Sequence, residues 1–185
     1  MNMNPRQRRL KADFEKMKDE FSVHKFISFT YEENLTGVPE KYFFYFHGLK
    51  SIKVTEDENK SKKAELITEH KIEIYLHIDY PRVKPAAYIH TPLFHPNFRM
   101  ASPHDICIGD YWASGETLVD IVYQIGDLIM YQAYNINSPL NGIAAKWARE
   151  NPDLLPLDNT IIRKPDPQIH LSGSSDNNEV KIDLL

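Results

Sequence analysis

Four β-rich segments follow one another without a helical pattern between them, and this order limits the fold more than any other feature of the chain. They are residues 24–32, 41–54, 64–78 and 86–91. Apolar residues alternate along the third segment, which is the period of a strand with one buried face. These residues are Ile72, Ile74, Leu76 and Ile78. The connections are short, whereas parallel neighbours need crossovers of a dozen or more residues, so we expect a four-stranded antiparallel meander.

An amphipathic helix is predicted before the strands, over residues 5–21. Asn4 stands at the N-cap position and Pro5 at the first helical position. Apolar residues then recur at spacings of four and three, which places them on one side of the helix. They are Leu10, Phe14, Met17 and Phe21. We expect the basic residues largely on the solvated sides, namely Arg6, Arg8, Arg9, Lys11, Lys16 and Lys18.

Two further helices are predicted after the strands, so the fold class is α+β. Residues 114–133 carry apolar side chains at helical spacing, with Ser114 or Thr117 as the N-cap, and residues 141–153 form the last helix. Residues 156–185 are rich in Pro, Ser, Asn and Asp. They predict a polar, flexible tail with a short strand at 160–163, after one folded domain over 1–155.

Composition excludes several classes of protein. The chain has 185 residues and a net charge of −4, so it can bury one sizeable core and has no overall basic field for nucleic acid. It has one cysteine, Cys107, which leaves no intramolecular disulfide. We find no secretory or membrane-spanning pattern and expect a cytoplasmic protein without a membrane or nucleic-acid partner.

Three motifs occur in order on this scaffold. "YPRVKPAAYIHTPLFHPN" resembles the Tyr-Pro, spaced-proline and His-Pro-Asn segment of ubiquitin-conjugating enzymes, "ICIGDYW" their active-site cysteine segment, and "NSPLNGIAAKWARENPD" their gate and following helix. The match runs from about residue 5 to 155. The resemblance implies that family's fold, with an N-terminal helix, a four-stranded meander, a cysteine loop and C-terminal helices.

The resemblance also implies a relay reaction. Cys107 would receive a ubiquitin-like modifier from an activating enzyme as a thioester and pass it to an amine of a target protein, with no metal or other cofactor. A thiol with a pKa near 8.5 is both a fair nucleophile and a good leaving group. Asn97 would either donate to the thioester oxyanion or brace the cysteine loop, and Ser138 would position the incoming amine. His95, Pro96 and Trp112 would shape the loop.

Partners follow from the same resemblance. The basic face of the first helix would bind the activating enzyme through Arg6, Arg9 and Lys16, with Arg8 as a substitute. The spacing from Asn97 to Cys107 is two residues longer than in common eukaryotic members, and the Gly-Pro and Tyr-x-Gly-Gly signature is absent. This divergence resembles prokaryotic relatives, which act with an activating enzyme, a modifier and a metal-dependent deconjugating peptidase, often in antiviral defence.

Two other classes of function stay open. A binding module on the same fold is one, although such relatives usually lack the cysteine. A cysteine hydrolase using Cys107 with His95 or His104 is the other, although no third group that would orient the histidine is evident. A metal site made of His95, His104 and Cys107 is rejected, because no fourth ligand has convincing spacing.

Overall fold

The computed structural model describes residues 3–35, 37–56, 62–113 and 115–165, and the backbone of 169–172 and 181–184. Within these ranges the chain forms three α-helices, a four-stranded sheet and a separate two-stranded hairpin. The main elements are α1 (Pro5–Phe21), β1 (Ile27–Tyr31), β2 (Lys41–Glu56), β3 (Lys62–Tyr75), β4 (Ala86–Ile89), α2 (Leu118–Ile129) and α3 (Gly142–Glu150). A 3₁₀ turn (Pro152–Leu154) follows α3, and β5 (Ile169–Ser172) pairs with β6 (Lys181–Leu184).

The predicted antiparallel meander is confirmed. The strands lie in the order β1-β2-β3-β4, and Phe44 of β2 stands opposite Phe29 of β1 and Ile72 of β3. The alternate residues Ile72, Ile74 and Leu76 are buried, as their period indicated. The prediction is wrong for Ile78, which is 76% exposed, because β3 ends at Tyr75 and the period of two no longer applies beyond it.

Helix α1 covers one side of the sheet and begins where the sequence indicated. The Asn4 side chain accepts a hydrogen bond from the Gln7 N–H, and the Gln7 side chain accepts one from the Asn4 N–H. Leu10, Met17 and Phe21 are buried, and Phe14 packs partly buried against the same core.

The prediction that the basic residues of α1 lie largely on its solvated sides does not hold for Arg6 and Arg9. Both side chains are about four-fifths buried, and their guanidinium groups bind other groups of this protein. Arg9 pairs with Asp13, which is itself only 2% exposed. The helical period indicated the side of α1 on which each residue lies, but it did not show that a polar cluster covers part of that side.

Helix α2 packs against α1 and β2 and supplies much of the remaining core. Thr117 is the N-cap, and its hydroxyl oxygen accepts a hydrogen bond from the Asp120 N–H; Ser114, the alternative, lies outside the described residues. The helix ends at Ile129, four residues before the predicted end. In the described parts of the chain, no helix is long and apolar enough to cross a membrane.

The boundary that we predicted at residue 155 is wrong, because residues 156–165 pack on the domain. Ile162 is 3% exposed and occupies the space beside Gly126, where an added Cβ would lie 2.4 Å from its Cδ1. The Asp158 carboxylate accepts a hydrogen bond of 2.7 Å from the Lys50 N–H. Residues 160–163 form no strand, since their backbone runs beside α2 without a sheet partner.

Candidate active site

Cys107 lies on an extended segment between the end of strand β4 and the residues that follow His95. Single β-bridges join Tyr88 to Asp105 and Phe98 to Ile106. The Ile106 N–H donates to the Ala87 carbonyl over 2.9 Å. These bonds fix the backbone on both sides of the segment, so the thiol, which is partly exposed, projects from a rigid support.

Asn97 joins the cysteine segment to the gate segment, residues 135–141. Its carbonyl accepts a hydrogen bond of 2.8 Å from the Cys107 N–H, and its Nδ2 donates to the Cys107 carbonyl over 2.9 Å. Its Oδ1 accepts a bond of 2.8 Å from the Asn135 N–H. The side chain is thus in a bracing position, and donation to an oxyanion stays a prediction.

The gate segment is tied to the His-Pro-Asn motif by its backbone. The Pro96 carbonyl accepts hydrogen bonds from the N–H groups of Leu140 and Asn141, at 2.9 and 3.0 Å. Leu140 lines the same cavity as Cys107. Ser138 is exposed, and its N–H donates to the Asn135 side chain over 3.1 Å. Within the described residues its hydroxyl has no hydrogen bond to Cys107, so its positioning role stays a prediction.

His95 is fully buried and supports the turn below the cysteine segment. Its Nδ1 accepts a hydrogen bond of 3.0 Å from the Asn97 N–H, which places the ring proton on Nε2. Burial lowers the pKa of His95 to about 3, against an opposing effect of the Ala133 backbone. Among the described residues Nε2 has no hydrogen-bond partner of ordinary geometry, and the ring makes a T-shaped contact of 4.3 Å with Tyr131.

Trp112 fixes the chain after Cys107. Its Nε1 donates to the Pro81 carbonyl over 2.8 Å, and its ring packs 6.0 Å from that of Tyr80. Burial and the bond that its hydroxyl donates to Asp13 raise the pKa of Tyr80, which keeps the phenol protonated. Arg9 donates to the Tyr80 hydroxyl over 3.0 Å and to the Glu116 carbonyl. Helix α1 therefore holds the ring on which Trp112 packs and the end of the loop that precedes α2.

A cavity of about 390 Å³ lies against the thiol. Most of its lining is apolar, from Pro85, Ala86, Ala87, Ile106, Ile108 and Leu140. Two charged residues also line it, Lys84 and Asp105. The sequence reading missed Lys84. Lys84 lies one residue before Pro85 of the proline motif, but the motif does not show that the lysine side chain points toward the cavity.

The predicted docking residues on α1 have different surroundings. Arg6 binds the Glu40 carboxylate at 2.6 Å and the carbonyls of Leu76 and His77, and Arg9 is held as described above. Lys16 is exposed, as are Arg8 and Lys11. The exposed basic residues of the helix are therefore Arg8, Lys11, Lys16 and Lys18, of which Lys18 pairs with Glu15 at 3.2 Å. Binding of an activating enzyme there stays a prediction.

The two histidines offered for a hydrolase are poorly arranged for it. His95 is buried and neutral, and His104 lines a different cavity of about 540 Å³ together with His90 and Arg99. Neither has a hydrogen bond to Cys107 among the described residues. Among all the residues that the structure describes, no group of three or more histidine, cysteine or acidic side chains could hold a metal ion.

Comparison with known proteins gives a likeness at the level of the fold. No protein-family model and no curated protein matches the chain. A solved structure from Plasmodium yoelii, described as a "putative ubiquitin conjugating enzyme", matches with a TM-score of 0.57 and 17% identity. The match covers 83% of this chain and 90% of that one. The chain therefore has a fold similar to that of this Plasmodium protein.

Proposed function

We propose that this protein is a conjugating enzyme that carries a ubiquitin-like modifier as a thioester on Cys107 and transfers it to an amine of a target protein. The observation that carries the proposal is the reciprocal pair of hydrogen bonds between Cys107 and Asn97. It holds a partly exposed thiol beside a cavity and close to the gate segment. The similar fold of the Plasmodium protein supports the same assignment.

Sulfur chemistry suits the relay. The activating enzyme presents the modifier as a thioester on its own cysteine; the Cys107 thiolate attacks that carbonyl carbon, the C–S bond to the activating enzyme breaks, and its thiolate leaves. An amine nitrogen then attacks the same carbon, and the thiolate leaves as the amide forms. A lysine amine with a pKa near 10.4 is mostly protonated at pH 7, so a partly desolvated cavity would favour its neutral, reactive form. Asn97 and Ser138 would assist this second step.

The proposed partners are an activating enzyme, a ubiquitin-like modifier, a target protein and a deconjugating peptidase of the same pathway. The exposed residues Arg8, Lys11 and Lys16 give α1 a basic surface for the activating enzyme. A prokaryotic, antiviral setting in the cytoplasm is part of the proposal and rests on the divergence of the motifs.

A stable adduct tests the assignment. Cys107→Lys, expressed in the source cell, would receive the modifier as an isopeptide that survives purification, and its intact mass would rise by the mass of a small protein. Cys107→Ala is the control and should fold with the same circular dichroism and show no adduct. A folded Cys107→Lys protein without an adduct, in cells shown to contain the activating enzyme, would contradict transfer and favour a binding module.

A further inference from the structure

Lys84 brings a positive charge to the cavity beside Cys107. Its Nζ donates a hydrogen bond to the Gly109 carbonyl, two residues after the cysteine, and its side chain lines the same cavity as the thiol. A lysine ammonium has three donors, and this bond uses one of them. Two donors are therefore left for a group that enters the cavity.

The charge of Lys84 is not neutralised by the cavity itself. Asp105 is the acidic residue of the lining, and its carboxylate pairs with Arg99 at 2.5 Å. Among the described residues no carboxylate lies within ion-pair distance of Lys84. A cation without a carboxylate partner that lines the same cavity as the thiol favours negative charge in that cavity, whether it is already present or develops during a reaction.

Asn97, the other polar side chain considered for that role, is already engaged. Its Nδ2 donates to the Cys107 carbonyl and its Oδ1 accepts from Asn135. To turn its amide toward an oxyanion would weaken the bonds that support the cysteine segment. Lys84 has a long side chain, and within the described parts of the chain its ammonium bonds to the Gly109 carbonyl alone, so it can offer its other donors without breaking a bond.

We propose that Lys84 stabilises the oxyanion that forms at the thioester carbonyl during transfer from Cys107. The amine nitrogen bonds to the carbonyl carbon, and the carbonyl electron pair moves to oxygen. The Lys84 ammonium donates a hydrogen bond to that oxygen and keeps its own protons. The C–O double bond then re-forms, the C–S bond breaks, and the amine loses its extra proton to solvent. This assignment rests on the proposed thioester function.

The effect is smaller than that of a buried oxyanion donor. Loss of such a donor typically lowers the rate constant by about 100- to 1,000-fold. Lys84 is partly exposed, so water screens its charge, and we expect Lys84→Met to lower the maximal discharge rate by about 10- to 100-fold. The lysine concentration that gives half-maximal discharge should change less than the maximal rate, because the hydrogen bond to the oxyanion forms only during attack.

A chemical thioester tests the assignment without any other protein. The full chain is incubated with a short peptide mercaptoethanesulfonate thioester ending in Gly-Gly, excess reagent is removed, and discharge to free lysine is followed by intact mass. Lys84→Met should discharge slowly. Lys84→Arg, which keeps the charge and the donors but cannot act as an acceptor amine, should stay within about threefold of the unmodified chain.

Three results would overturn the assignment. The first is discharge by Lys84→Met at the rate of the unmodified chain. The second is an equal loss in Lys84→Met and Lys84→Arg with a lower melting temperature, which would make Lys84 a tether of the Gly109 loop only. The third is an acyl group found on Lys84 itself. A different result would refute the proposed function itself. In that case the unmodified chain, like Cys107→Ala, would form no thiol-labile adduct.

Discussion

Arg9→Ala should destabilise the folded protein strongly, although the sequence pattern places Arg9 on a solvated face of α1. The substitution removes the ion pair with Asp13 at 2.7 Å, the bond to the Tyr80 hydroxyl at 3.0 Å and the bond to the Glu116 carbonyl. Asp13 is 2% exposed, so its carboxylate would lose its counter-charge without gaining water. The Tyr80 hydroxyl would remain as its donor.

The expected loss follows from these contacts. Removal of one partner of a buried ion pair costs about 3–5 kcal/mol. Arg9 keeps a side-chain exposure of 20%, and Asp13 keeps one hydrogen bond, so we expect a loss of about 2–4 kcal/mol in the free energy of unfolding. For a protein of this length, that corresponds to a fall in melting temperature of about 4–16 °C.

Urea unfolding and thermal melts of three variants would measure this loss. Arg8→Ala is the matched control, because Arg8 lies on the same helix and is exposed, and it should change the free energy of unfolding by less than about 0.5 kcal/mol. Arg9→Lys should lie between the two, since lysine keeps the charge but loses the planar fork. If Arg9→Ala were as stable as Arg8→Ala, the buried cluster would be refuted and Arg9 would be free to bind a partner.

Two further predictions concern pH and the tail. His95 has a folded pKa of about 3 against an ordinary value near 6.5, so the unfolded state binds the extra proton and stability falls as the pH drops below 6.5. Between pH 6.5 and 5 the loss in the free energy of unfolding amounts to about 2 kcal/mol, which urea titrations should detect in the unmodified chain. His95→Asn should show a smaller loss, and buried His70 should account for part of what remains. An equal dependence of stability on pH in the two proteins would contradict the prediction. Removal of residues 166–185 should leave the melting temperature nearly unchanged. Removal of 156–185 also removes buried Ile162 and should lower the free energy of unfolding by at least about 2–4 kcal/mol. Equal melting temperatures of the two truncated proteins would show that 156–165 contribute no packing energy.

The sequence predicted the parts of the fold that depend on period. Alternation located the strands, and spacings of three and four located α1 and α2, because these patterns follow directly from backbone geometry. The packing of Ile162 on Gly126 could not be read in this way. It joins two positions 36 residues apart in the numbering, and only the glycine inside a helical pattern indicated a close contact.

The candidate site was predictable to a similar extent. The motifs predicted a site made of Asn97, Cys107 and Ser138 of the gate segment. The structure shows Asn97 bonded to Cys107, whereas the roles of these residues stay predictions and the Ser138 hydroxyl has no hydrogen bond to Cys107 among the described residues. Lys84 and Asp13 were missed, since the roles of both depend on side-chain directions. For Asp13 a signal existed in the sequence, because a carboxylate stood between Leu10 and Met17 on the apolar side of α1 and four residues after Arg9.

The surroundings of Arg9 also decide how docking of an activating enzyme can be tested. Arg9 holds Tyr80 and Glu116, and Trp112 packs on Tyr80, so a change at Arg9 would disturb the loop after Cys107. Slower loading of an Arg9 variant would then have two explanations. Lys11 and Lys16 are exposed and bind neither Tyr80 nor Glu116. Charge reversal at these two positions therefore changes only the electrostatic field at the surface of α1. A loss of loading at these two positions, with unchanged stability and unchanged discharge to lysine, is therefore the result that separates docking from the support of the site.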